Sequence, residues 1–396
     1  MQTSSSSVSD SVSPIRTYFF LSQFYFWFFA LVGGMAPYWG LYLDSQGYSH
    51  LEIGQLMSIL MVTKVLAPNF WSWLGDRSQC RRRLVRWGAF LGGACFLLFF
   101  LGSGFWWFAF TMMAFSFFWN AILPQFEVIT LHNLAPHKSR YSRVRLWGSI
   151  GFIVSVFLLG ALFDRVSLNF LPLCLFFILC AIWISSLAPF SEPKSERAHS
   201  FSGLWTILKK SETCAFFGIN FLLQVSHGAY YTFFSLYLEQ FGFSNSRIGV
   251  LWAEGVIAEV VVFLVMHRLL ERFGIRRLTM CALAITALRW QVTAMQGSEF
   301  WVMAFVQLAH AASFGIMHSV AIQYVHETFS GVHEGQGQAL YSAASFGAGG
   351  AVGAILCGLL ADQAPLSQLF SASSVVSLGA LLIAFLFFSP GKEEKF

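Results

Sequence analysis

The sequence predicts an all-α membrane protein with twelve transmembrane helices, arranged as two pseudo-symmetric six-helix bundles. The chain has 396 residues, of which 56% are hydrophobic, 18% aromatic and 11% charged. Soluble domains carry about 25% charged residues, so this chain has too few charges to cover a soluble surface. Its apolar residues fall in long blocks, and a helix needs about 20 of them to cross roughly 30 Å of hydrocarbon. The alternating segments of about 10 residues that build membrane barrels do not occur in the sequence.

Polar breaks separate the apolar blocks and set the limits of the predicted spans. Each block has about the length that one membrane-crossing helix requires. The twelve predicted spans are 17–42, 51–74, 84–102, 106–134, 143–163, 168–188, 213–238, 247–267, 278–296, 299–327, 336–361 and 366–389.

An internal repeat indicates the two bundles. Residues 189–212 form the longest polar stretch after the N-terminal tail and separate two sets of six spans. A shift of 195 residues places Lys64 on Glu259. Many secondary transporters have such duplicated halves and bind substrate between them, near the middle of the membrane. The predicted parts are a disordered tail 1–14, a first bundle 15–188, a linker 189–212, a second bundle 213–389 and a tail 390–396.

Lysine and arginine residues set the predicted orientation, because they are retained on the cytoplasmic side. Of the 24 such residues, twenty fall on the side of the N-terminus. Arg165 and Arg247 fall on the other side, and Lys64 and Arg289 lie within spans. We therefore expect a multi-pass protein of the cell inner membrane with both termini in the cytoplasm. The first residues lack the basic segment and cleavage site of a signal peptide, so the first helix is expected to be an uncleaved anchor.

The sequence contains no pattern typical of an enzyme. Its seven cysteines form no CxxC motif and have no metal-ligand spacing. A nucleophile–base constellation and a phosphate-binding loop are also missing, which disfavours an intramembrane enzyme. We expect no cofactor, with the proton gradient as energy source, and no nucleic-acid partner. A monomer is expected because both halves of the predicted cavity lie in one chain.

Charged residues within the spans are the main functional signal. A charge at the bilayer centre costs at least ~2.5 kcal/mol and therefore faces the bundle interior or water. The repeat gives Lys64 and Glu259 equivalent positions, so both are expected to face a central cavity; the alternative is a structural ion pair. The intramembrane polar set is Lys64, Glu127, Glu254, Glu259 and Arg289, with His227, His310, His318, Asn120, Gln125 and Gln224 beside them.

Glu127 and Arg145 form a second candidate pair. Glu127 lies in the fourth span, three residues after Pro124, which can loosen the helix there. Arg145 opens the fifth span. A Glu and an Arg on neighbouring helices can hold a polar substrate through bidentate hydrogen bonds. The alternative for Arg145 is an anchor at the cytoplasmic helix end.

His310 is a candidate for proton transfer. His310 and His318 lie eight residues apart, about 80° around a helix, and histidine changes charge near neutral pH. The commoner alternative is an interior histidine with satisfied hydrogen bonds. Arg289 needs a partner within the membrane, either an acidic residue or the carboxylate of a substrate.

The loop after the second span, DRSQCRRR (76–83), is a candidate gate. Asp76 can pair with a nearby arginine or helix end and hold the cytoplasmic side closed in one state. The shift of 195 residues aligns Asp76-Arg77 with Glu271-Arg272. Anchoring by positive charge explains the arginines but not the repeated acidic–basic pair. We therefore predict a gating role for these four residues.

Several motifs resemble known transporter families. WLGDRSQCRRR (73–83) resembles the loop motif of the major facilitator superfamily. RVRLWGSIGF (143–152), ALRW (287–290) and the segments 310–331 and 335–353 resemble the phenylpropionate permease family, a relative of lactose permease-type proton symporters. The similarity extends over nearly the whole chain. It implies the major facilitator fold and transport coupled to protons.

The resemblance also implies roles for individual residues. In lactose permease-like proteins, an acidic residue of the fourth helix and an arginine of the fifth bind substrate. The matching positions here are Glu127 and Arg145.

The proton-coupling set of that family maps to Glu259, Arg289 and His310. Lactose permease has an acidic residue one turn after the histidine, where this chain has Ser313 and Phe314. This departure implies that Glu259 carries the proton.

We therefore predict a secondary active transporter that imports a small organic solute with protons by alternating access. Glu259, with His310, is expected to carry the proton. The interior cations favour an aromatic carboxylate resembling phenylpropionate, whereas the Glu127/Arg145 pair suits a sugar or nucleoside. Efflux by proton antiport and a non-transporting scaffold or sensor are the alternatives. The predicted substrate-binding residues are Glu127, Arg145, Lys64, Arg289 and Asn120.

Overall fold

The computed structural model is helical along most of the chain and describes residues 14–135, 140–193, 204–329 and 331–390. Nearly all of both predicted tails, and the centre of the predicted linker, lie outside the described residues. The α-helices are α1 (Pro14–Ser45), α2 (His50–Ser78), α3 (Arg81–Phe96), α4 (Phe105–Asn133), α5 (Tyr141–Phe163), α6 (Leu171–Ser186), α7 (Leu204–Leu208), α8 (Ser211–Ser226), α9 (Gly228–Glu239), α10 (Asn245–Gln296), α11 (Phe300–Leu308), α12 (Met317–Thr328), α13 (Glu334–Ser342), α14 (Gly350–Ala361) and α15 (Leu366–Phe387).

Ten helical stretches within the described residues are long and apolar enough to cross a membrane. The predicted seventh span is divided at His227 into α8 and α9. The predicted eighth and ninth spans both belong to α10, which has 52 residues and is kinked at Gly274. Gly274 has φ 71°, a conformation that residues with a Cβ atom adopt only at a cost. The predicted polar break between these two spans is therefore a bend at one residue and not a loop. We refer to the segments before and after Gly274 as the first and second arms of α10.

Two π-helical segments interrupt the regular helices near the C-terminus. Ala311–Ile316 joins α11 to α12, and Ala343–Gly349 joins α13 to α14. Such segments are rare and occur frequently at functional sites. They carry Phe314 and Phe346, whose ring centroids lie 5.9 Å apart.

The helices of residues 14–193, here the N-terminal part, pack against those of residues 204–390, the C-terminal part. Contacts between the parts run along α2 and α14, α5 and α10, and α1 and α9. A Cβ atom on Gly54 of α2 would lie 2.5 Å from the carbonyl oxygen of Ala354 and 2.9 Å from Cα of Gly358. The close approach of α2 and α14 therefore depends on the absence of a side chain at Gly54.

Hydrogen bonds between the two parts lie at one end of the bundle. We call the end at which α1 begins the near end, and the opposite one the far end. At the far end, Nδ1 of His50 lies 3.2 Å from the carbonyl oxygen of Ala361 and 3.9 Å from Oδ1 of Asp362. Also at the far end, both carboxylate oxygens of Asp164 accept from the backbone N–H of Ser246, at 3.3 Å. Among the described residues, no hydrogen bond joins the two parts at the near end.

The contact at Asp164 is made by an ionised carboxylate. Its slight burial acts to raise the pKa of Asp164, but hydrogen bonds from Ser246, Asn245 and Ser244 together lower the pKa below its ordinary value. The contact is therefore fully charged at neutral pH, which favours closure of the far end.

Candidate functional site

Glu259, His310 and Arg289 form a continuous set of contacts. Glu259 lies on the first arm of α10 and Arg289 on the second, while His310 directly precedes the first π-helical segment. Nε2 of His310 lies 3.7 Å from Oε2 of Glu259, and Nδ1 lies 3.1 Å from Nη1 of Arg289. His310 and Arg289 are buried, and only 17% of the Glu259 side chain is exposed. The structure thus brings together the three residues that the sequence suggested for proton coupling.

The contact with Arg289 determines the tautomer of His310. A guanidinium group has no hydrogen-bond acceptor, so Nδ1 of His310 must accept. A neutral His310 then carries its proton on Nε2, the nitrogen that faces Glu259. While this hydrogen bond holds, Nδ1 has no free lone pair for a second proton.

Arg289 is surrounded by neutral groups. Its Nη1 also donates to Oγ of Ser313 at 2.7 Å, and its Nη2 donates to Oε1 of Gln307 at 2.9 Å. Its central carbon lies 4.6 Å from the ring centroid of Tyr230 and 4.3 Å from that of Trp290, which allows cation–π attraction. In the part of the chain that the structure describes, no carboxylate lies within ion-pair distance of Arg289. These contacts are those of a residue that positions His310.

Lys64 has no charged partner among the described residues. Its amine contacts the sulfur of Met61 at 3.6 Å, and Glu259, its counterpart in the repeat, pairs with His310 instead. The structure therefore contains no Lys64–Glu259 ion pair. The side chain of Lys64 is half-buried, and a charge that is withdrawn from water without a partner is costly.

The position of Lys64 on α2 directs it toward the space between the two parts. Val62, Leu66 and Trp73 are exposed and mark the outer face of α2. Successive residues of an α-helix are about 100° apart, which places Lys64 about 160–200° from these three residues. Lys64 thus faces inward, as the sequence predicted.

Glu127 and Arg145 also lie close together. The hydroxyl of Tyr141 donates to Oε1 of Glu127 at 3.3 Å, and Arg145 interacts with Glu127 electrostatically. The pair is not in ion-pair contact. Tyr141, a phenol one turn before Arg145, is a member of this cluster that sequence analysis missed.

Arg145 packs against an aromatic ring of α1. Its guanidinium lies over the ring of Phe29, 3.9 Å from the centroid, which allows cation–π attraction. The side chain of Arg145 is half-buried.

Asn120, a predicted substrate contact, has its amide nitrogen engaged in packing. The nitrogen donates to the carbonyl oxygen of Leu60 at 3.0 Å and to Oγ1 of Thr63 at 2.9 Å. The hydroxyl of Thr63 in turn donates to Ser116 at 2.8 Å. This network joins α2 to α4 beside Lys64.

The predicted gate residues lie at the near end. Asp76 forms an ion pair with Arg81, and Arg81 also donates to Gln125 on α4, so these contacts stay within the N-terminal part. Arg77 lies 5.7 Å from the ring centroid of Trp73.

The equivalent residues of the C-terminal part do not repeat this arrangement. Glu271 is exposed and forms no ion pair with a described residue, and Arg272 lies 5.3 Å from the ring centroid of Phe273. The pairing of acidic and basic residues is thus observed in one part, and the gating role of all four residues stays a prediction.

An aromatic cluster extends from His310 toward the near end. The rings of His310, Phe314 and His318 are nearly parallel, with centroids 5.6 and 5.7 Å apart. Phe346 and Tyr341 contact the same rings. The four-residue spacing of the first three rings is a signal in the sequence, but the contribution of Phe346 depends on a π-helical segment.

The described part of the chain has ten helices of membrane length and charged residues in its interior, which is typical of a multi-pass membrane protein with a functional site between its helices. The chain belongs to the MFS_1-like family, whose model matches residues 18–372. It is therefore a transporter of the major facilitator superfamily and not an enzyme.

Individual relatives cover nearly the whole chain. The "Probable 3-phenylpropionic acid transporter" of Escherichia coli (strain K12) is 28% identical over 85% of this chain and 89% of its own. The maltose permease of Geobacillus stearothermophilus is 24% identical over 92% of each chain. The crystal structure of the nucleoside transporter NupG superposes with a TM-score of 0.81 at 17% identity, covering 94% of this chain and 98% of that one. This last likeness shows the fold.

Proposed function

We propose that this chain is a proton-coupled symporter that imports a small aromatic carboxylate across the cell inner membrane. The observation that carries the proposal is the inward-facing amine of Lys64, which has no carboxylate partner among the described residues. A substrate carboxylate would supply the missing charge, and Arg145 is a second, half-buried cation of the N-terminal part. Binding of an anion would thus relieve the cost of an unpaired buried charge.

The architecture of the proposed transporter has twelve spans. The ten membrane-length stretches become twelve when α8 and α9 together form one span and the two arms of α10 form two. We further propose two six-helix bundles in a monomer. The excess of Lys and Arg at the near end assigns that end to the cytoplasm. The hydrogen bonds that join the described residues of the two parts lie at the far end, which supports an inward-facing state of alternating access.

Glu259 is the proposed proton carrier. Its neighbour His310 has Nδ1 occupied by Arg289, which leaves the carboxylate of Glu259 as the group of this set that can gain a proton. His310 and Arg289 then position Glu259 and do not exchange protons themselves. In this scheme Arg289 does not contact substrate, and Asn120 holds α2 in place beside Lys64.

Arg145 couples the proton to the solute in this proposal. In this scheme, the positive charge of Arg145 is attracted by the carboxylates of both Glu127 and Glu259. Protonation of Glu259 removes one of the two negative charges that attract Arg145. The guanidinium then becomes available to an anionic solute, so proton binding favours substrate binding.

The second candidate substrate is a sugar or nucleoside. The cluster of Glu127, Tyr141 and Arg145 offers acceptors and donors suited to hydroxyl groups. The names of the maltose and nucleoside transporters among the similar proteins agree with this alternative. The unpaired Lys64 and the relative named for 3-phenylpropionic acid support the carboxylate.

The test is a thermal-shift screen of the purified protein in detergent with 3-phenylpropionate, maltose and nucleosides, because a ligand of the folded state raises its stability. We expect stabilisation by 3-phenylpropionate alone. Uptake into liposomes with an imposed proton gradient then tests direction. Stabilisation by maltose or nucleosides alone contradicts the substrate, and export driven by the opposite gradient contradicts import.

A further inference from the structure

We infer that Phe314 and Phe346 form the binding site for the aryl group of the substrate, while Lys64 holds its carboxylate. This inference rests on the proposed function and names the residues that select an aromatic acid over an aliphatic one.

The two phenyl rings are part of the aromatic cluster next to the proposed proton carrier. Phe314 stacks on His310 with an interplanar angle of 12° and on His318 with an angle of 18°. Phe346 meets the rings of Phe314 and His318 with both pairs of centroids 5.9 Å apart. Both phenyl rings remain partly exposed, so the cluster leaves ring surface available to a ligand.

The packing of the second π-helical segment places this surface beside the N-terminal part. This segment carries Phe346 and contacts α2, and Phe346 itself is half-buried. The cluster therefore lies beside the contact between the two parts.

Lys64 and Phe346 flank the same helix contact. A Cβ atom on Gly347 would overlap Val65, and one on Gly350 would lie 3.3 Å from Cγ of Met61. Val65 follows Lys64 directly, and Phe346 precedes Gly347 directly. The amine and the ring therefore lie at one level of the bundle, beside the contact of α2 with the second π-helical segment.

This arrangement matches an acid with a short chain between ring and carboxylate. Two aromatic rings in offset or edge-to-face contact gain binding free energy in addition to the contribution of buried apolar area. A saturated ring of similar size buries similar area but lacks this contribution. The site should therefore distinguish 3-phenylpropionate from 3-cyclohexylpropionate by the ring alone.

The experiment measures the affinities of both acids on the same preparation of purified protein by calorimetry. Phe314→Leu and Phe346→Leu are compared with Phe305→Leu, a control on α11 whose side chain is 75% exposed. The ratio of the two affinities does not depend on the fraction of folded protein. If a leucine variant does not fold, the corresponding methionine variant replaces it.

We expect the wild type and Phe305→Leu to prefer 3-phenylpropionate, and each site variant to lose about two- to tenfold of that preference. Binding of 3-cyclohexylpropionate should change little. An unchanged preference in both site variants, combined with loss of binding of both acids in Lys64→Gln, overturns the aryl site and leaves the proposed function standing. Absence of binding of either acid to the wild type overturns both.

Discussion

Arg289 donates a hydrogen bond from Nη1 to Nδ1 of His310 over 3.1 Å. Because a guanidinium only donates hydrogen bonds, Nδ1 of His310 is the acceptor, and a neutral imidazole carries its proton on Nε2. This relationship also explains how a buried arginine is tolerated within apolar helices. The guanidinium contacts neutral acceptors and two aromatic faces. Its hydrogen bond to Nδ1 keeps a neutral His310 in contact with Glu259.

Replacing Arg289 with lysine should free Nδ1 of His310. The shorter, non-planar cation does not reproduce the donor geometry of the guanidinium. The histidine then gains a site for a second proton on Nδ1. We expect the pH profile of solute binding to show one more titrating group than that of the wild type.

The control for this substitution is Ser313→Ala, which removes another acceptor of Arg289 but leaves the contact with His310. Its pH profile should match that of the wild type. Identical profiles for Arg289→Lys and the wild type would show that Arg289 does not set the protonation of His310.

Lys64→Gln should abolish the preference for a charged ligand. Removal of one partner of a buried ion pair costs about 2–5 kcal/mol, or about 30- to 4,000-fold in affinity for 3-phenylpropionate. Binding of the uncharged 3-phenylpropanamide should stay nearly constant. Calorimetry with both ligands measures the effect, and Lys209→Gln, at an exposed position, is the control. A parallel loss for acid and amide would mean that Lys64 supports the fold and not the carboxylate.

Gly54→Val should open the far end. The new side chain would collide with the backbone at Ala354 and Gly358, and such overpacking costs about 1–3 kcal/mol. The closed far end should lose population by about 5- to 100-fold relative to the open one. The measurement is maleimide labelling of Thr232→Cys, a buried position next to Gly40 at the contact of α1 and α9, in a chain without its native cysteines.

Gly218→Val is the matched control, because a Cβ atom there meets no atom within 4 Å. It should leave the labelling rate unchanged. Equal rates in Gly54→Val and Gly218→Val would show that the contact of α2 and α14 does not keep the far end closed.

Helix positions could be predicted from the sequence because transfer of apolar side chains dominates the free energy of a membrane helix. The predicted fifth span, 143–163, differs from α5 by two residues at its start. The sequence analysis did not predict the interruptions of regular helix within the spans. The bend at Gly274 and the π-helical segments depend on contacts between helices, and hydropathy carries no signal for them.

The sequence predicts individual residues of the candidate site but not which of them are in contact. The repeat predicts that Lys64 and Glu259 lie on inner faces, and in the structure Lys64 lies on the face of α2 opposite its exposed residues. The rotation of each helix and the distance between helices determine which side chains are in contact. In the structure Glu259 contacts His310, and Glu127 contacts Tyr141. The spacing of these residues in the sequence does not indicate which of the pairs form.

The central claim is that Glu259 carries the proton that drives import. The most direct measurement compares the wild type and Glu259→Gln in liposomes, using labelled 3-phenylpropionate. One assay imposes a proton gradient, and the other measures exchange of labelled for unlabelled solute without a gradient. We predict that Glu259→Gln loses accumulation driven by the gradient and keeps exchange. Accumulation at the wild-type level by Glu259→Gln, with exchange also intact, would contradict the account.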